Sequence, residues 1–169
     1  MTMDRKLAEL HTILAAAIRD MTDEEFACHL PGKWSTAEIL DHLNLTYLGT
    51  IKNFNRCLVS DQRTASADRR SKRWQRLVVA KLGHYPSGRK SPPRVEPRGT
   101  PVQQIKSEIL ENIVRMDHAI RELESRFGRR VPVADHPILG PLTAPEWRKF
   151  HLVHGKHHAK QILRLRKAR

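Results

Sequence analysis

Four stretches of this chain repeat apolar residues at steps of three and four, and that period commits most of it to α-helices packed by one face. Leu7, Leu10, Leu14 and Ile18 form the first such stripe, between about Asp4 and Asp20. Ile39, Leu43, Tyr47 and Phe54 form the second, opened by Ser35-Thr-Ala-Glu38, in which Ser and Glu stand at capping-box spacing. Ile105, Ile109, Ile113, Met116 and Ile120 mark a third over residues 102–126, with Gly128 to end it. The fourth is expected to open near Thr143, with Glu146 at capping-box spacing and Pro145 in the first turn, and to run into the basic tail RLRKAR. A short connecting helix is expected from Thr22-Asp-Glu-Glu25 through Cys28 or Leu30, before Pro31-Gly32.

The implied fold class is all-α, a four-helix bundle in one domain spanning residues 1–169. Aromatic residues make up only 5% of the chain, which suits packed helices better than a sandwich of short strands. A basic, proline-rich crossover is expected between the second and third long helices. Within it Arg63, Arg69, Arg70, Lys72 and Arg73 form a basic stretch, Trp74, Leu77, Val78 and Leu82 suggest another helix, and Pro86 to Pro101 holds five prolines and two glycines, the mark of an extended surface loop. Asp135 to Thr143 reads as a second proline-marked connection. Trp34 and Trp147 border helix starts and are expected at the core edge, while Cys57 is expected to be an inert buried thiol.

The 31 Lys and Arg outnumber the 18 Asp and Glu, so the net charge of +13 attracts nucleic acid, an anionic surface or an acidic small molecule without choosing among them. No nucleic-acid recognition motif accompanies the charge. Cys28 and Cys57 lack the spacing of a thiolate metal site or a disulfide framework, which points to a reducing compartment. Asp4, Arg5, Lys6 and Glu9 interrupt the N-terminal apolar positions as no signal peptide would, and no stretch approaches the roughly 20 apolar residues of a membrane span. A cytoplasmic protein without membrane association is therefore expected.

The fourth helical stretch carries the chemistry. On a 3.6-residue period Trp147, His151, His154, His158 and Leu165 share one face, while Lys149, Lys156 and Lys160 point away. His154 and His158 are four apart, so their Cβ atoms lie about 5–6 Å from each other and both imidazoles can reach one point. Taken alone, that spacing is a weak signal for a metal site. His42 lies on the inner stripe of the second long helix with Ile39, Leu43 and Thr46. There it is either a third metal ligand or a core histidine bonded to a carbonyl or a neighbouring side chain.

KWSTAEILDHL at residues 33–43 and HPILGPLTAPEWRKFHLVHGKHHAKQI at residues 136–162 make the sequence resemble the DinB-like superfamily, more narrowly a branch of uncharacterised bacterial proteins. The compound pattern His-x-x-His-His-x-x-Gln, here His154, His157, His158 and Gln161, is far more specific than two histidines at helical spacing. The resemblance covers nearly the whole chain, with no matching motif in the basic region 61–100. It implies a four-helix bundle that holds a divalent metal, zinc or nickel, on His42, His154 and His158. Three histidines would leave a position open to water or substrate.

Several members of that family are implied to be transferases or isomerases that use a low-molecular-weight thiol. The expected function is accordingly a metal-dependent enzyme, a thiol-dependent transferase or a hydrolase, acting on a small anionic substrate. Glu38, His157 and Gln161 are the candidates for handling a proton or orienting a ligand, with His151 and Asp41 beside them; Glu38, four residues before His42, is the best placed of these. The alternative is a non-catalytic, stress-associated bundle that binds nucleic acid or pairs into a homodimer.

Overall fold

A computed structural model describes residues 2–66 and 91–168. Its elements are α1 (Arg5–Ile18), α2 (Asp23–Ala27), α3 (Thr36–Ser60), a 3-10 turn at Pro93–Val95, α4 (Val102–Phe127), β1 (Pro132–His136), β2 (Gly140–Thr143) and α5 (Ala144–Lys167). Among the described residues there are four long helices, α3 packing along α4 and α1 along α5.

Each start follows from local chemistry. The Asp4 side chain accepts from the Lys6 amide at the head of α1. Thr22 with Glu25, Ser35 with Glu38, and Thr143 with Glu146 form complete capping boxes, so the orphan amides of three helix starts are met by side chains three residues apart in sequence. Gly128 ends α4 at φ 92, donating its amide to the Glu124 carbonyl. The α3 helix continues past Cys57 to Ser60 and stops at Asp61, which takes a left-handed conformation.

The apolar stripes meet as their periods dictate. Leu7, Leu10 and Leu14 of α1, Leu43, Tyr47 and Phe54 of α3, and Ile105, Ile109 and Ile113 of α4 are all buried in one core. In α1 the buried position of the last turn is Ala17, with Ile18 only partly covered. Trp147 and Cys57 are buried, and Trp34 is half-buried at the core edge. One close approach marks the packing of α1 on α5: a Cβ at Gly155 would lie 2.1 Å from Leu10 Cδ1, so glycine lets the Leu10 side chain sit directly on α5.

Two connections differ from expectation. The segment Asp135 to Thr143 is more than a connection, because β1 and β2 pair as an antiparallel hairpin, with His136 opposite Gly140 and Asp135 opposite Pro141. Val133, Ala134, Leu139 and Leu142 are buried, and that burial holds strands this short. The His136 Nδ1 accepts from the amides of Ile138 and Leu139, both at 3.1 Å, and locks the turn. The proline-rich loop is likewise not wholly irregular: residues 91–101 form a strap carrying the Pro93–Val95 turn and lie against the beginning of α3. The helix expected over Trp74, Leu77, Val78 and Leu82, and the first part of the crossover, lie outside the described residues. No helix among the described residues is long and apolar enough to cross a membrane.

Candidate metal centre

The Ser35–Glu38 cap fixes where α3 begins, and that start places His42 in the second turn facing the bundle interior. His154 and His158 reach the same point from successive turns of α5. All three are buried, at 4%, 2% and 6% exposure, and one ring nitrogen of each lies within 4.8 Å of the others. His154 Nε2 stands 3.2 Å from His42 Nε2 and 3.1 Å from His158 Nε2.

Hydrogen bonds on the far sides of two rings decide what those nitrogens offer. His42 Nδ1–H donates to the Val95 carbonyl at 2.7 Å, and His158 Nδ1–H donates to Gln161 Oε1, also at 2.7 Å. A carbonyl oxygen only accepts, so each Nδ1 carries a proton and each Nε2 of these neutral rings turns a lone pair inward. One proton on His154 Nε2 would serve only one of its two neighbours. Gln161 is itself aligned by donating Nε2–H to His157 Nε2 at 3.2 Å.

Charge is kept off the cluster. Burial lowers the pKa of His42, opposed by the Val95 carbonyl bond and by Asp41. Burial first, and then the repulsion a charged His42 would exert, bring the His158 pKa down to about 3. His154 falls well below its usual value through burial, followed by the mutual repulsion of His158 and His42. The result is three neutral nitrogen donors aimed at one point.

That donor set fits a divalent ion. With metal–nitrogen bonds of about 2.0–2.1 Å, tetrahedral ligands stand about 3.3–3.4 Å apart and octahedral neighbours about 2.8–3.0 Å apart. The observed 3.1 and 3.2 Å fall between the two geometries. Neutral imidazole is a ligand for zinc, nickel, iron and copper alike, so this group of three could hold a metal ion without specifying which. Phe150 stacks on His154 at 5.4 Å with an interplanar angle of 13°, and Trp34 packs against His42 at 5.3 Å, giving the rings apolar flanks.

The structure thus brings together His42, His154, His158, Gln161 and His157. Asp41 is one residue from a ring of the cluster but turns its carboxylate to the strap, accepting from Arg98 and Thr100. Glu38 does not join the group. Its carboxylate folds back to accept from the Ser35 amide at 2.8 Å and lies 3.4 Å from His29 Nδ1. His151 lies one turn below on α5, fully buried against Tyr47 and stacked on Trp147, with neither ring nitrogen hydrogen-bonded among the described residues. Burial first, and then the repulsion a charged His136 would exert, hold its pKa at about 3.

Sequence reasoning missed the Val95 carbonyl, because a backbone acceptor leaves no mark on side-chain identity. Its only trace is the stiff proline-flanked setting Pro92-Pro-Arg-Val-Glu-Pro97. Trp34 was legible as a core-edge anchor but not as a flank of the cluster, and Phe150 was not singled out. Against known proteins, a family model described as the DinB superfamily matches residues 6–162. Neither a curated protein nor a solved structure matches the chain.

Proposed function

Since this chain belongs to the DinB superfamily, we propose that His42, His154 and His158 hold one divalent metal ion, zinc or nickel, at the centre of a metal-dependent enzyme. The observation that carries this reading is the convergence of three buried imidazoles, with His154 Nε2 3.2 Å from His42 Nε2 and 3.1 Å from His158 Nε2. A ligand set of three histidines leaves at least one position for water or substrate, as in catalytic rather than structural sites. A bound divalent ion would supply Lewis acidity toward a water or a low-molecular-weight thiol.

The chain's own residues do the remainder. Val95 and Gln161 hold two rings in the metal-binding tautomer. Phe150 and Trp34 keep water from the ring faces. His157, half-buried and bonded to Gln161, is the candidate for holding a proton at the rim. The net charge of +13 favours a small anionic substrate, in either thiol transfer or hydrolysis. Metal analysis of purified protein beside a His154→Ala variant tests the centre: metal in the first and little in the second is expected, and equal metal in both overturns it.

The same charge supports a second reading, a non-catalytic bundle that binds nucleic acid or pairs with a second copy. DNA binding that weakens steeply with salt and persists in His154→Ala would favour it over the enzyme.

A further inference from the structure

Asp41 is 2% exposed, and burying a carboxylate without donors is costly. Every hydrogen bond it makes among the described residues comes from one place, the strap. Its Oδ2 accepts from the Arg98 amide at 2.6 Å and the Thr100 amide at 3.3 Å, and its Oδ1 accepts from the Thr100 hydroxyl at 2.8 Å. The next residue on α3 is His42, whose Nδ1–H donates to Val95, three residues before Arg98 on that same strap. Pro92, Pro93, Pro97 and Pro101 fix φ through the segment, so anchoring Arg98 and Thr100 leaves the Val95 carbonyl little freedom.

We propose that the strap is the orienting arm of the metal centre: Asp41 docks it, docking sets the Val95 carbonyl on His42 Nδ1, and His42 Nε2 is thereby presented to the metal. Strap docking and metal binding are then one coupled equilibrium, and each strengthens the other by the same factor. The inference rests on the metal reading above. Asp41 is a positioning residue, acting through the strap on His42.

Zinc titrations of the full chain and three variants test it, together with wild-type amide exchange and the His42 ring tautomer read by nitrogen NMR. Asp41→Ala removes all three anchors and is expected to weaken zinc about 10- to 100-fold, with His42 in mixed tautomers. Thr100→Val removes one anchor without touching α3, so a smaller loss, about two- to fivefold, is expected. Zinc is expected to slow exchange of the Arg98 and Thr100 amides in the wild type and not in His42→Ala. Wild-type affinity in both Asp41→Ala and Thr100→Val, or exchange indifferent to zinc, overturns the strap's role while leaving the metal reading intact. Undiminished zinc binding by His42→Ala overturns the metal reading itself. If Asp41→Ala does not fold, Thr100→Val and the wild-type exchange decide the matter.

Discussion

Helix α5 carries two buried polar clusters, and they are built on opposite plans. Near its start, Arg148 is 4% exposed and meets the Glu124 carboxylate, with Asp4 at 3.7 Å and Asp117 at 4.0 Å; Asp117 also pairs with Arg121 at 3.2 Å and accepts from the Asp4 amide. Cations and carboxylates there answer one another, and the network ties α1 and α4 to α5. Six residues on, about 9 Å along the helix, His154 meets two more imidazoles of its own kind. A single ring proton cannot serve two lone pairs at once, so that cluster could accept a cation. Complementary polar burial builds the fold, whereas convergent burial of identical donors, which costs stability and returns none by itself, marks a site.

The sharpest way to break this comparison is to remove the cation of the first cluster. Arg148→Leu leaves Asp117 with Arg121 alone and Glu124 with only the exposed Arg129, and is expected to cost about 3–5 kcal/mol in urea denaturation. His154→Leu, made in metal-free protein, is expected to cost much less or to stabilise; equal losses would erase the distinction.

Next comes acid. His151 sits at about 3 folded against about 6.5 unfolded, so the unfolded chain takes up the proton first as pH falls. The stability contributed by its neutral form is complete above about pH 6.5 and is lost as pH drops from there toward 3. At about 1.4 kcal/mol per pH unit, the metal-free protein should lose about 2 kcal/mol between pH 7 and 5 from His151 alone. His151→Phe, which keeps the stack on Trp147 and drops two nitrogens without hydrogen bonds, should flatten that slope by the same amount. At pH 7 it should be neutral or stabilising by about 1 kcal/mol. An unchanged slope would mean that His151 is protonated or solvated in the fold.

The smallest effect is expected at Glu38. Glu38→Ala should cost about 0.5–1 kcal/mol through the α3 cap and leave zinc affinity as it was, since its carboxylate serves Ser35. A tenfold loss of zinc affinity would instead make it a partner of His42.

The long helices and their starts were legible because caps and apolar periods are local: Ser35–Glu38 and Thr143–Glu146 carry their own geometry. So was the pairing of His154 with His158, which lie on one helix. The meeting of His42 with them depends on how two helices distant in sequence pack, and only the family resemblance joined the three in advance. Glu38 shows the limit of spacing, which fits both a cap and a partner four residues on; the nearer backbone amide won. The β1–β2 hairpin was hidden by Pro137 and Pro141, which made Asp135 to Thr143 read as a connection, and its strands are too short for a clear alternation.

The contact of Gly155 with Leu10 has a practical consequence. Gly155 lies between His154 and His158, and a side chain there would have to push the Leu10 side chain of α1 aside. Helix α1 contributes no donor to the cluster, yet it backs the stretch of helix whose position sets how far both imidazoles stand from His42. Trimming or enlarging the buried residue 10 is therefore a way to shift the spacing of the three imidazoles without changing any of them.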